Sequence, residues 1–349
     1  MSVAFELTNT SGRSVKLADA FAEEFVGWLA RPADEVDAEY VDGGRLLDLV
    51  GSAAALGERA RRGDQAAAFT QQYLLGKLYE LSMQLPSTPN AEGSVAVQAL
   101  VRQLEKDTVR DQDSYIDHEL ISASPESPDE FVSWLKSLIR SHRVFKHPYW
   151  HEFMRNEATP ADLRHFVLQE SSVDARFDDL LALMQVGTDG ATKMEIASNY
   201  WDEMGNGQPE QVHTVLFQHI IDHFEITDQE LKENLSTSAL LGGNLAVLVC
   251  RYRSFFSEAV GHLAVAEWLA PDRFAQVLHA WRRLDLPPKG IIYHELHIGI
   301  DAHHASAWFA HVVKPLAGDP AARRAIARGA LWRADSSARY LDGILDESR

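Results

Sequence analysis

Helical periodicity runs through almost every long segment of this 349-residue chain. In AAAFTQQYLLGKLYELSMQL (66–85) and SVAVQALVRQLEKDTVRDQ (94–112), apolar residues recur three and four positions apart, the spacing that places them on one face of a helix. The same spacing continues in the segments further along, whereas β-type alternation bounded by turn residues is scarce. The pattern predicts an all-α protein.

One break in the helical pattern marks an expected domain junction. The stretch SASPESPDEF (122–131) concentrates proline, serine and acidic residues and ends in a helix start. We therefore predict a helical N-terminal region over residues 1–125 and a larger helical domain over residues 126–349. Both lengths lie within the usual range for domains.

Composition excludes several classes of protein. Hydrophobic residues make up 46% of the chain and charged residues 24%, enough to build a sizeable core. A net charge of −18 without a lysine or arginine cluster disfavours nucleic-acid binding. The single cysteine, Cys250, excludes intrachain disulfides and CxxC metal sites. No window reaches about 18 uninterrupted apolar residues, so we expect a cytoplasmic protein with no nucleic-acid or membrane partner.

The stretch IIYHELHIGIDAHHASAWF (291–309) places polar groups among large apolar ones. On a helix, His297, Asp301 and His304 fall within roughly 60° of one another, whereas His303 points about 120° away from His297. Each histidine alone fits a buried imidazole bonded to a carbonyl or an acid. Burying two imidazoles and a carboxylate together is costly unless a cation compensates, so the stripe favours a metal ion.

Two further stretches carry ligand-type residues. In NYWDEMGNGQPEQVHTVLF (199–217), Glu203 stands near a helix end and His213 follows the break; in RHFVLQESSVDARFDDLLALM (164–184), Glu170 shares an apolar stripe. Each alone also fits an ordinary solvated or flanking acid. Glutamates and histidines turned into a helical bundle can hold two metal ions, although zinc or a mononuclear iron also fits the spacing. The candidate ligands are Glu170, Glu203, His213, His297, Asp301 and His304.

In this order, these six residues resemble the ligand set of the haem-oxygenase-like diiron oxidases and oxygenases. The chain is similar to the N-terminal helical and central diiron domains of the N-oxygenating nitrosourea (streptozotocin) synthase, without its cupin domain. It is also similar to the 2-aminoimidazole N-oxygenase of azomycin biosynthesis. The resemblance implies a haem-oxygenase-like seven-helix bundle preceded by a dimerisation-type helical region, and hence a homodimer.

The resemblance also implies a reaction. The six residues would hold two Fe ions that cycle between Fe2+ and Fe3+, with O2 as cosubstrate and an external electron donor. The substrate would be a small molecule whose amine, guanidine or aminoimidazole-type nitrogen is oxygenated to the hydroxylamine, nitroso or nitro level, in natural-product biosynthesis. Glu267 is the first candidate for an additional iron ligand and Glu258 the second, and both also fit helix-surface acids.

Alternatives stay open at this point. Oxidative C–C cleavage of a fatty or amino acid to an olefin uses the same scaffold, and a non-catalytic helical protein with structural histidines needs no metal. Asp174 and Asp178 are candidates for contacting a cationic substrate group, and solvated acids fit these positions equally. Trp201 and Tyr293 are candidates for lining the pocket, although core packing explains aromatic residues at helical spacing more often.

Overall fold

The chain folds almost entirely into helices, which confirms the predicted all-α class. The computed structural model describes the backbone of residues 7, 8, 14, 15, 17–86 and 88–348, and the side chains of 17–86, 88–300 and 303–348. In chain order, the described α-helices are α1 (Ala20–Trp28), α2 (Ala33–Asp37), α3 (Leu46–Arg61), α4 (Gln65–Met83), α5 (Val95–Asp113), α6 (His118–Ser122), α7 (Pro128–Ser141), α8 (Pro160–Glu170), α9 (Phe177–Met184), α10 (Gly190–Glu203), α11 (His213–His223), α12 (Asp228–Glu233), α13 (Thr237–Arg251), α14 (Phe256–Arg283), α15 (Ile292–Trp308), α16 (Lys314–Leu316) and α17 (Pro320–Glu347).

Short irregular helices and one strand pair complete the secondary structure. The described 3₁₀ turns are Arg143–Lys146, Asp174–Arg176, Gly205–Gly207, Pro209–Gln211, Arg253–Phe255 and Pro288–Ile291. The π-helical segments are Ala38–Asp42, Tyr149–Glu157 and Phe309–Val313. Strands β1 (Leu7–Thr8) and β2 (Ser14–Val15) pair antiparallel, with Leu7 opposite Val15. Among the described helices, none combines the length and the apolar character that crossing a membrane requires.

Tertiary contacts divide the chain into two compact units. The first consists of Met1–Ser114 and Glu233–Leu245, and the second of Tyr115–Lys232 and Ala246–Arg349. The expected junction near residue 125 stays a prediction. Every candidate ligand lies in the second unit.

Buried polar groups help to hold the first unit together. Helices α3, α4 and α5 pack against one another. Gln72 donates from Nε2 to Thr108 Oγ1 over 3.2 Å and so joins α4 to α5. Asn244 donates from Nδ2 to the backbone carbonyl of Gln72 over 2.8 Å. Since buried polar groups need hydrogen-bond partners, these bonds fix where the first part of α13 packs on α4.

In the second unit, α14 is the central helix, buried along much of its length and packed against α15 and α17. Two glycines let the backbones of α14 and α17 touch. A Cβ at Gly261 would overlap the carbonyl of Ile326, and a Cβ at Gly329 would overlap the carbonyl of Glu258. The distance between these two helices is therefore set by backbone contact, and the side chains that they turn toward the interior keep a fixed spacing.

Candidate metal centre

Three buried side chains of the kind that ligate metals meet inside the second unit: Glu203, His213 and His297. His213 Nδ1 lies 2.7 Å from Glu203 Oε2, and His297 Nε2 lies 3.9 Å from Glu203 Oε1. One donor atom from each residue lies within 4.8 Å of the others. The structure thus brings together three of the six candidate ligands, each from a different helix.

A left-handed turn explains how Glu203 and His213 meet. Helix α10 ends at Glu203, and the next residues include Gly205 (φ 59°), Asn206 (φ 53°) and Gly207 (φ 83°). A Cβ at Gly205 would lie 2.5 Å from the carbonyl carbon of Gln211, so only glycine fits there. The turn reverses the chain within a few residues, and α11 then begins at His213 beside the end of α10.

Two neighbouring imidazoles stabilise the ionised form of Glu203. Burial alone would raise the pKa of this carboxyl group, but its interactions with His213 and His297 outweigh burial and lower the pKa to about 2. The carboxylate also stands at the C-terminal end of α10, where unpaired carbonyls already concentrate negative charge. An ionised carboxylate in this position favours a nearby cation.

The residues of this trio fit a metal ion. His213 Nδ1 is buried and has no hydrogen-bond partner among the described residues, because its 2.7 Å contact with Glu203 is not in hydrogen-bond geometry. Carboxylate and imidazole donors suit iron. A cavity of about 30 Å³, lined among others by Glu203, Glu267 and His297, adjoins the trio.

A backbone carbonyl orients His297. Its Nδ1 donates to the carbonyl of Tyr293 over 2.7 Å, so Nδ1 carries the proton. The other ring nitrogen, Nε2, is then the one with a lone pair, and it faces Glu203. A hydrogen bond that fixes the tautomer in this way is usual for histidines that ligate metals.

His304 and Glu267 form a second pair of ligand-type residues. His304 donates from Nε2 to Asp202 Oδ2 over 2.8 Å, and its Nδ1 lies 3.9 Å from Glu267 Oε2. Burial lowers the pKa of His304, and the bond to Asp202 offsets this only in part. The neutral imidazole therefore presents the Nδ1 lone pair toward Glu267, which lines the same cavity as Glu203. The sequence reasoning did not single out Asp202.

Glu170 contacts an arginine in this structure. Arg273 Nη1 lies 3.3 Å from Glu170 Oε2, and Arg273 Nη2 lies 3.6 Å from Asp174 Oδ1. Asp174 lines the cavity. Burial raises the pKa of Asp174 to about 7, although the charge of Arg273 acts in the opposite direction. The role of Glu170 as a ligand stays a prediction.

The remaining candidates lie in varied surroundings. The backbone of Asp301 is part of α15, but its side chain lies outside the described residues. Glu258 is buried and accepts a hydrogen bond from Arg328 over 3.1 Å. Of the two aromatic candidates, Tyr293 is buried and lines the cavity, whereas Trp201 is 54% exposed. Asp178 is half-buried, and burial raises its pKa.

Two more buried side chains, Arg333 and His294, lie near the centre, and neither is among the candidate ligands. Arg333, on α17, lines the cavity together with Glu203 and His297. Burial and the charge of Arg273 lower the pKa of Arg333 to about 10, so it remains a cation at neutral pH. His294 is fully buried, and neither ring nitrogen has a hydrogen-bond partner among the described residues.

The sequence matches the model of a known protein family. A protein-family model described as "Iron-containing redox enzyme" matches residues 164–338, half of the chain. The matched segment contains every candidate ligand from Glu170 to His304, and Arg333 as well. No curated protein matches the sequence. The helical architecture and this match confirm the haem-oxygenase-like fold predicted from the sequence.

Proposed function

Because the chain belongs to the family of iron-containing redox enzymes, we propose that it is a non-haem diiron oxygenase that uses O2 to oxygenate a substrate nitrogen. The nitrogen belongs to an amine, guanidine or aminoimidazole-type group and reaches the hydroxylamine, nitroso or nitro level, in natural-product biosynthesis. The observation that carries the proposal is the buried trio of Glu203, His213 and His297, with a ring nitrogen of His213 left without a hydrogen bond.

The ligands fall into two neighbouring groups around one cavity. Glu203, His213 and His297 form the first group, and Glu267 with His304 forms the second. This arrangement supports two iron ions more than one. Glu170 and Asp301 complete the proposed ligand set on the strength of the resemblance. Bound iron supplies the redox chemistry with O2 that amino-acid side chains lack.

The protein's own residues prepare the site. The carbonyl of Tyr293 and the carboxylate of Asp202 each accept a hydrogen bond from one imidazole, so His297 and His304 need not reorient to bind metal. Phe177 and Phe274 contribute apolar surface to the cavity lining. Apolar surroundings lower the local dielectric constant and so strengthen charge interactions within the site.

The stoichiometry of the reaction requires a partner. Converting an amine to a hydroxylamine with O2 consumes two electrons and two protons, because one oxygen atom enters the N–O bond and the other leaves as water. Side chains of the site supply no net electrons over a catalytic cycle. The proposal therefore includes an external electron donor, and the homodimer implied by the resemblance remains part of it.

Iron binding and isotope labelling test this function together. The full-length protein is loaded with Fe2+ under anaerobic conditions, desalted, and its iron counted; it is then supplied with reductant, 18O2 and a panel of amines, guanidines and 2-aminoimidazole. We expect two irons per chain and an N–O product that carries 18O. His297→Ala abolishes both, whereas His303→Ala, an exposed neighbour on α15, leaves both unchanged. One iron per chain would replace the diiron centre by a mononuclear one, and no iron would return the histidines to a structural role.

A second candidate function is the oxidative cleavage of a C–C bond in a fatty or amino acid. The observation in its favour is the apolar part of the cavity lining, which includes Val173, Phe177 and Ala270. Acids labelled with 13C at the carboxyl carbon distinguish the two reactions. Cleavage of the bond to the carboxyl carbon releases the label as a one-carbon product and leaves an olefin, whereas N-oxygenation retains it.

A further inference from the structure

Arg333 is a buried cation that has no partner among the described residues. It is only 7% exposed, and no hydrogen bond or ion pair joins its guanidinium to any other described residue. Its Nε is fully enclosed as well as unpaired. A guanidinium carries five N–H donors, and leaving such a group buried without an acceptor is costly. The position therefore calls for an anion.

The acidic side chains nearby are already engaged by another arginine. Arg273 contacts Glu170 at 3.3 Å and Asp174 at 3.6 Å. Arg333 makes no ion pair with either carboxylate among the described contacts, although both are close enough to affect its pKa. The protein thus places two guanidinium groups beside these two acids but pairs only one of them.

Arg333 lines the cavity beside the candidate metal centre. Arg333 lines the same cavity as Glu203, Glu267 and His297, and the cavity lining between these polar groups includes Val173 and Ala270. A molecule that entered the cavity would meet a cation, an apolar surface and the proposed ligands. The anion that pairs with Arg333 is therefore expected to arrive with the substrate.

We propose that Arg333 binds a carboxylate of the substrate, so that the substrate is a carboxylic acid, such as an amino acid, held with its reacting atom toward the metal centre. The planar guanidinium matches a carboxylate through two parallel hydrogen bonds, which fixes orientation as well as position. The inference rests on the proposed function for the fate of the substrate, but the binding of a carboxylate to Arg333 can be measured without turnover.

The test compares a simple acid with its neutral isostere. Binding of hexanoate and of hexanamide to the full-length protein is measured by calorimetry, before and after loading with Fe2+. The variants are Arg333→Met, Arg333→Lys and, as a matched control, Arg324→Met, which changes an exposed arginine on the same helix. We expect the wild type and Arg324→Met to bind hexanoate more tightly than hexanamide. Arg333→Met should weaken hexanoate binding by about tenfold or more, since a hydrogen bond to a charged group is worth that much.

Folding of the variants is controlled by thermal unfolding. Methionine is similar in length to arginine and carries no charge to bury, so Arg333→Met should fold. Arg333→Lys keeps the positive charge but loses the planar guanidinium that forms two parallel hydrogen bonds, so its affinity for hexanoate should be intermediate. If Arg333→Met does not fold, the test rests on Arg333→Lys: weaker hexanoate binding in this variant would support the proposal, and unchanged binding would contradict it. Unchanged hexanoate affinity in the Arg333 variants would overturn the proposal.

Three further outcomes separate this inference from its alternatives and from the proposed function. Hexanoate that binds only to iron-loaded protein, with an affinity that Arg333→Met does not change, would place the carboxylate on the metal and overturn the role of Arg333. Inorganic phosphate that binds the metal-free protein more tightly than hexanoate would overturn the carboxylate assignment. A protein that takes up no iron but loses hexanoate binding in Arg333→Met would refute the oxygenase and support the anion site.

Discussion

His213 Nδ1 lies 2.7 Å from Glu203 Oε2 across the turn that separates α10 from α11. The contact is not a hydrogen bond in geometry, and burial leaves Nδ1 without any other described acceptor or donor. A metal ion between such groups would satisfy both of them. The consequences of this arrangement can be tested by changing one atom or one residue at a time.

Glu203→Gln removes the charge of the carboxylate and keeps its size. We expect iron affinity to fall by more than the roughly 10–100-fold typical of residues that only support a ligand. Iron uptake after desalting and the dissociation constant for Fe2+ measure the effect. Glu210→Gln, an exposed acid in the same connection, serves as the control. Unchanged iron affinity in Glu203→Gln would remove Glu203 from the ligand set.

Asp202→Ala tests the orientation of His304. The carboxylate accepts a hydrogen bond from His304 Nε2 over 2.8 Å, and without it the imidazole can rotate or carry its proton on Nδ1. Iron affinity should fall about 10–100-fold, and Asp202→Asn, whose amide oxygen can still accept, should lie in between. Asp179→Ala, which removes an exposed acid on α9, should bind iron as the wild type does.

Gly205→Ala tests the turn between the first two ligands. A non-glycine residue at φ 59° costs about 1–2 kcal/mol, and the added Cβ would also press on the backbone of Gln211. We expect lower thermal stability together with reduced iron uptake, because His213 moves relative to Glu203. Gly207→Ala is the matched comparison: its φ is also positive, but the added Cβ meets only the side chain of Trp201. It should lose stability while keeping iron.

His294→Phe tests the acid sensitivity of the metal-free protein. Burial is the largest reason why the pKa of His294 falls to about 3, against an ordinary value of 6.5. Between these values the unfolded chain binds a proton that the folded protein does not, so stability falls as the pH falls from 6.5 toward 3. Phenylalanine has no proton to bind and suits neighbours such as Phe166 and Phe274.

The expected result is a weaker dependence of unfolding free energy on pH. The difference in slope between wild type and His294→Phe approaches about 1.4 kcal/mol per pH unit within that window. Urea unfolding at a series of pH values measures it. His303→Phe changes an exposed histidine on the same helix and should leave the slope as it is. Parallel curves for the wild type and His294→Phe would contradict the assignment.

The all-α class could be predicted because the spacing of apolar residues along the sequence indicates helices. The haem-oxygenase-like fold could be predicted because the order of the candidate ligands along the sequence resembles that family. Sequence reasoning also named Glu203, His213 and His297, which the structure brings together. Nothing in the sequence pattern around Arg333 indicated that this residue lines the site. Helix α17 is buried on most sides between Gly329 and Ser336, so it shows no single apolar face against which a buried arginine stands out.

Other parts of the site depend on tertiary contacts that spacing does not contain. Asp202 stands next to Glu203 and reads as an ordinary solvated acid until α15 brings His304 against it. The grouping of Glu233–Leu245 with the first unit likewise depends on bonds such as that between Asn244 and Gln72, which are 172 residues apart. Periodicity indicates that a helix has a buried face, but it does not identify the neighbour that covers it.

The contact of α14 with α17 at Gly261 and Gly329 has a consequence for engineering. Glu267 on α14 and Arg333 on α17 are carried by two helices that cannot come closer and that any larger side chain at either glycine would push apart. A designer who wishes to admit bulkier substrates should therefore trim the cavity lining, for example at Phe177 or Phe274, and leave both glycines untouched. Moving the two helices apart would enlarge the cavity, but it would also change the distance between the proposed anion site and the metal centre.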